Sequence, residues 1–166
     1  LGFESILSIF HALGEAPEHD PPFNPRLIGA WVSLGAAMAT VGLTRIIGVG
    51  DKLAIVAGAA MLLVPTWMEF GASCYVEPYL VLLSTLSLCC ACRLVGGEER
   101  AGLPMAILLG LAAGVKYPGL GVLGFVLMLV LVFQLKEAEE QGGDLSRVLA
   151  LWASLLGLTL VMAAPF

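Results

Sequence analysis

Leu27-Ile28-Gly29-Ala30-Trp31-Val32-Ser33-Leu34-Gly35-Ala36-Ala37-Met38-Ala39-Thr40-Val41-Gly42-Leu43-Thr44 is the stretch on which the fold turns. Between its ends nothing is more polar than Ser33 and Thr40. Wound as a helix it is about 27 Å long, close to the roughly 30 Å hydrocarbon thickness of a bilayer. The sequence therefore predicts a transmembrane helix over 27–44. Gly29, Ala30, Ser33, Gly35, Ala36, Ala37 and Ala39 give it small side chains that let another helix approach closely.

The same reading extends outward. Of the 166 residues 59% are hydrophobic and 13% charged, against roughly 25% charged in a soluble domain. Mean hydropathy is +0.96. A water-exposed surface cannot be assembled from this material. Charges fall in clusters at 4–26, 45–52, 93–100 and 136–147, with apolar runs between them, which is the rhythm of spans and loops. A formal net charge of -5 and the lack of a basic face exclude a nucleic-acid binder. Cys89, Cys90 and Cys92 lie inside an apolar run, without His or carboxylate at ligand spacing; with Cys74 they read as small buried hydrophobes rather than a metal site.

Residues 1–13 place Phe3, Ile6, Leu7, Phe10 and Leu13 at helical spacing, as in an amphipathic helix or the last turns of a span. Residues 14–26 are rich in proline and acid and form a loop outside the hydrocarbon. Beyond 27–44, spans are predicted over 53–68, with Pro65 near its end, and over 78–94, the two making a helical hairpin. Residues 103–115 are too short to cross upright, and Lys116-Tyr117-Pro118-Gly119 breaks them from a span over 120–135. A charged loop over 136–147 leads to a last span over 148–164. The expected fold is all-α: one membrane domain over 1–166, with about six membrane-embedded segments in a transmembrane bundle over 27–166. Both termini have the look of cuts in a longer polypeptide.

Lysine and arginine orient such a bundle. Alternate threading puts Arg45, Lys52, Arg93, Arg100, Lys136 and Arg147 on one side and Arg26 and Lys116 on the other. The first side is expected to be cytoplasmic. Glu15, Glu18, His19, Asp20, Glu69, Glu77 and Lys116 then share the outer face.

Two of these carry the chemistry. Glu77, in Tyr75-Val76-Glu77-Pro78-Tyr79, opens the span over 78–94, where unpaired N–H groups and the helix dipole favour a carboxylate. Acid followed by Pro is also common punctuation of a helix start, but a carboxylate at the hydrocarbon edge is costly enough to suggest a use. Lys116 interrupts an apolar stretch, at a cost of about 2.5 to 3.5 kcal/mol if it sits in mid-membrane. It either snorkels to the headgroups beside Tyr117 or offers a point charge to a lipid-linked phosphate. Glu69 is placed to pair with it. The loop acids and His11 read as solvated or interfacial groups.

The hairpin Pro65-Thr66-Trp67-Met68-Glu69-Phe70-Gly71-Ala72-Ser73-Cys74-Tyr75-Val76-Glu77-Pro78-Tyr79, followed by Leu109-Gly110-Leu111-Ala112-Ala113-Gly114-Val115-Lys116-Tyr117-Pro118-Gly119, resembles the polytopic C-type glycosyltransferase superfamily. The likeness is to its dolichyl-phosphate-mannose-protein mannosyltransferase-like and aminoarabinose-transferase-like bacterial members. The resemblance implies sugar transfer from a polyprenyl-phosphate carrier to a glycan, lipid or protein acceptor on the extracytoplasmic face of a multi-pass protein of the bacterial inner membrane. It assigns Glu77 and Glu69 as secondary catalytic acids and Lys116, Tyr117 and Tyr75 as substrate-binding residues. The family's principal acid lies in a first outer loop that has no counterpart here and is expected before Leu1. No cofactor is identified, and a divalent metal is left open without a ligand cluster to hold it. The competing readings are a transporter or flippase, with the break at Lys116 lining a substrate path, and a noncatalytic membrane subunit.

Overall fold

The computed structural model describes residues 25–64, 76–115, 117–141 and 145–163. Among them the fold is all-α, with no strand, as the composition predicts. The described residues form six helices, α1 (Pro25–Ile46), α2 (Asp51–Leu63), α3 (Glu77–Val95), α4 (Gly102–Val115), α5 (Tyr117–Gln141) and α6 (Leu145–Ala163), with a 3-10 turn at Glu99–Ala101 between α3 and α4. Residues 1–13 and most of the loop over 14–26 lie outside the described residues.

Several boundaries move for local reasons. Pro25 and Arg26, inside the predicted loop, are already helical in α1, and proline's fixed φ is compatible with a helix. α2 stops at Leu63 instead of running through Pro65 to residue 68. Val64, as the residue before a proline, is driven out of the helical region to φ -70, ψ 117. The break at 116–119 is narrower than predicted. Tyr117, Pro118 and Gly119 are helical, the first turn being the place where a missing proline N–H costs nothing. The charged loop over 136–147 shrinks as well. Lys136-Glu137-Ala138-Glu139-Glu140 is made of strong helix formers, and Lys136 Nζ lies 3.7 Å from Glu140 Oε1, one turn on, so α5 continues to Gln141.

The turns at the basic end are set by glycine. Gly48 (φ 86) closes α1 and Gly97 (φ 93) follows α3, both in the left-handed region. The Val49 N–H donates to the Thr44 carbonyl at 2.9 Å and the Glu98 N–H to the Arg93 carbonyl at 3.0 Å, satisfying carbonyls that the helix leaves open. Within the helices, hydroxyls donate back to their own backbone: Thr40 to Ala36, Thr44 to Thr40, Ser87 to Ser84 and Thr159 to Leu155, at 2.7–2.9 Å. Hydrocarbon offers no water to do this.

Packing is centred on α3 and α4. α4 touches α3, α5 and α6, and α3 also packs against α1 and α5. The core gathers Ala91 and Leu94 of α3, Met105, Ala106 and Leu109 of α4, Val126, Leu127 and Val130 of α5, and Leu155 of α6. The expected hairpin between the second and third spans is corrected: α2 packs on α1, with Gly58 set against the Ala37 carbonyl and Val41, and among the described residues it has no extensive contact with α3. Register follows from specific pairs. Gly35 of α1 faces Leu82 of α3, and the Cys89 thiol donates weakly to the Ala39 carbonyl at 3.7 Å, so α1 and α3 run parallel. Gly102 meets Leu155, while Gly110 meets Thr159 and Met162, so α4 and α6 are parallel too. Consecutive helices therefore alternate in direction.

Alternation sorts the two ends. Arg45, Lys52, Arg93, Arg100 and Lys136, with Arg147 in the first turn of α6, gather at the end formed by the C-termini of α1, α3 and α5 and the N-termini of α2, α4 and α6. The opposite end holds the starts of α1, α3 and α5. α3 over Glu77–Val95 and α5 over Tyr117–Glu140 are long and apolar enough to cross a membrane by length and composition. α1, with 22 residues, reaches about 33 Å.

Candidate functional site

Glu77 is the first residue of α3, and its position explains how a carboxylate is held at the rim of an apolar bundle. Val76, the capping residue, supplies no side-chain hydrogen bond. The first backbone bond of the helix runs from the Leu80 N–H to the Val76 carbonyl at 3.0 Å. The acid thus sits at the positive end of the helix dipole. Glu77 is half-buried, and its Oε2 is shielded from solvent. Pro78 is fully buried directly behind it. Its ring fixes the backbone at the start of α3 and fills space that would otherwise let the helix end fray.

α5 starts at the same end. Tyr117, its first residue, is 89% exposed, with its ring directed away from the packed core. Two residues on, Gly119 is buried where α5 crosses the last turns of α4. A β-carbon at 119 would overlap the Ala112 carbonyl, so only glycine allows the crossing. α3 and α5 pack against each other and run parallel, which brings the Glu77 and Tyr117 ends of the two helices to one face of the bundle. Lys116 falls between α4 and α5 in the chain; Lys116, Glu69 and Tyr75 lie outside the described residues, as do His11, His19 and Asp20.

The buried Pro78 and the Gly119 crossing are features that the sequence reading passed over as punctuation and as part of a break. Their signal was present in the quoted runs. A Pro immediately after a rim carboxylate, and a Gly at the start of one apolar helix that follows another closely in the chain, are both places where the backbone is tightly constrained.

At the basic end, Arg45 Nε and Asp51 Oδ1 pair at 2.8 Å across the α1–α2 turn, largely in solvent. Cys89, Cys90 and Cys92 are free thiols on α3 and half-buried, less enclosed than the sequence predicts. Among the described residues no group of three or more His, Cys, Asp or Glu side chains is gathered to hold a metal.

An all-α bundle with apolar flanks, two helices long and apolar enough to cross a membrane, and an acid at the rim fits an integral membrane protein of helical type. The family model for dolichyl-phosphate-mannose-protein mannosyltransferase matches residues 6–165, almost the whole chain, and the chain belongs to that family of membrane glycosyltransferases. No curated protein and no solved structure matches it.

Proposed function

We propose that this chain is a single membrane domain of a multi-pass glycosyltransferase that takes a sugar from a polyprenyl-phosphate carrier and delivers it to an acceptor on the extracytoplasmic face of a bacterial inner membrane. The observation that carries the reading is the division of the bundle. Glu77 and the start of α5 share one end, and the basic residues Arg45, Lys52, Arg93 and Lys136 occupy the other. Cytoplasmic flanks are the ones enriched in Lys and Arg, so the acid faces the compartment where lipid-linked sugars are used.

In the proposed reaction an acceptor hydroxyl oxygen attacks the anomeric carbon of the carrier-bound sugar. The bond from that carbon to the phosphate oxygen breaks, the electron pair leaves with the polyprenyl phosphate, and the hydroxyl proton passes to a carboxylate. Glu77 and Glu69 serve as secondary acids lining the pocket and orienting the acceptor. Lys116 meets the charge that grows on the departing phosphate. Tyr117 and Tyr75 flank the carrier at the membrane interface, where amphipathic rings are favoured. An acceptor of glycan, lipid or protein type fits equally.

The test uses the full-length protein in liposomes with a radiolabelled polyprenyl-phosphate sugar. Lys116→Ala is expected to raise the donor KM about tenfold or more, with Lys116→Arg restoring part of it. Glu77→Gln is expected to lower kcat about tenfold to a hundredfold while leaving the donor KM nearly unchanged. Unchanged transfer and carrier affinity in Lys116→Ala would remove the lysine from the site. Movement of the carrier across the bilayer without any transfer would replace the enzyme with a flippase.

A further inference from the structure

A groove of about 560 Å³ runs between α1 and α3, from Gly35 and Leu82 to Ile46 and Arg93 at the basic end. Its floor is the small-residue face of α1, Gly35, Ala39 and Gly42, and Leu82 and Leu86 of α3 form a wall. The charged residue on its lining is Arg93, exposed in the last turn of α3. Among the described residues assigned to sugar transfer, neither Glu77 nor Tyr117 lines it.

We infer that this groove binds an acyl chain of an anionic glycerophospholipid, with Arg93 holding the headgroup phosphate. A methylene chain asks only for apolar walls, and the groove offers nearly nothing else along its length. An amphiphile with one anionic group at the end of an apolar chain uses both the small-residue floor and the guanidinium. A docked transmembrane helix would fill the floor but leave Arg93 without a role. Arg93 is in the last turn of α3, and Arg45, Lys52 and Arg100 stand at the same end of the bundle, interspersed with Asp51, Glu98 and Glu99. Basic pockets between helices on such a face are where phosphate-bearing lipids are drawn. Arginine's fork also matches phosphate oxygens two at a time.

Gly42 provides a clean way to close the groove. A β-carbon there meets nothing within 4 Å, so Gly42→Leu projects into the groove without disturbing a packed neighbour. The full-length protein is exchanged into dioleoylphosphatidylglycerol or dioleoylphosphatidylcholine, and retained lipid is counted by native mass spectrometry, with thermal unfolding as a folding control. Wild type is expected to retain the anionic lipid in preference to the zwitterionic one. Arg93→Ala should lower retention of the anionic lipid about fivefold and abolish the preference, Arg93→Lys should keep most of it, and Gly42→Leu should reduce retention of both lipids. Equal retention of the two lipids by wild type would overturn the site, as would an unchanged Arg93→Ala. Unchanged retention in Gly42→Leu would overturn the groove as the place of binding. Cross-linking from Cys90, on the groove wall, to residues 1–24 or to a second copy of the chain would assign the groove to that occupant and reject the lipid.

Discussion

α4 and α5 follow one another in the chain and are built from similar apolar residues, yet they play opposite parts. α4 has 14 residues and is enclosed, with Gly102, Met105, Ala106, Leu109, Gly110 and Ala112 all buried. α5 has 25 and buries one stripe, Gly119, Val126, Leu127 and Val130, while Leu120, Phe125, Met128, Val132 and Phe133 stand exposed. In water such an exposed face would be a liability; in a bilayer it is the surface that meets lipid. The helix too short to cross upright is the one the others wrap around. Apolarity alone does not decide which helix is enclosed, because lipid tails are as apolar as leucine and burial in protein brings little extra hydrophobic gain. Side-chain size does: α4 carries small residues on the faces that its neighbours approach.

The largest effect should come from breaking the contact between them. At Gly119 a methyl group would overlap the Ala112 carbonyl, and the obstacle is backbone, which cannot rotate aside. Gly119→Ala is expected to destabilise the bundle by about 3 kcal/mol or more, and to displace the start of α5 with it. Thermal unfolding of the full-length protein in detergent would register the loss, and wild-type stability would show that α5 does not cross α4 at this point. Gly110→Ala should act in the same direction at the α4–α6 seam, where the added carbon would meet the Thr159 carbonyl and Met162 Cβ.

A second contrast tests enclosure itself. Met105 and Leu109 are fully buried and Met128 is largely exposed. Leu109→Ala or Met105→Ala should cost about 2 to 5 kcal/mol through lost contacts and the cavity left behind. Met128→Ala, which removes only lipid-facing atoms, should stay within about 0.5 kcal/mol. Equal losses at 105 and 128 would mean that α5 is enclosed to the same degree as α4.

How much of this was legible beforehand differs by level. The all-α class, the number of segments and the short fourth helix follow from the spacing of charges and the lengths of the apolar runs. The end of α2 before Pro65 was open to the same reasoning, since the pre-proline rule applies to Val64 directly, but a run of leucine and valine hides it. The continuation of α5 through Lys136–Glu140 was obscured because charge was taken as a sign of loop, although lysine and glutamate also propagate helix beyond the membrane surface. Which helix packs on which could not be read. α2 chooses α1 over α3 through a contact of Gly58 with Ala37, and glycines are too frequent in these spans for one to be singled out. At the site, the place of Glu77 at a helix start was evident from Glu-Pro, whereas the full burial of Pro78 depends on neighbours distant in sequence.

The mildest prediction returns to α5. Gly124 lies five residues beyond Gly119 on the same helix, and a β-carbon there meets nothing within 4 Å. Alanine loses less backbone freedom than glycine on entering a helix, so Gly124→Ala should stabilise the bundle by about 0.5 to 1 kcal/mol. The identical change at 119 should have the opposite sign, because there the gain in helix propensity is overwhelmed by overlap with Ala112. Measured side by side in the same detergent, the pair separates propensity from packing within one helix. If Gly124→Ala destabilised as much as Gly119→Ala, the face of α5 at 124 would have to be an occupied interface and not a lipid-facing surface.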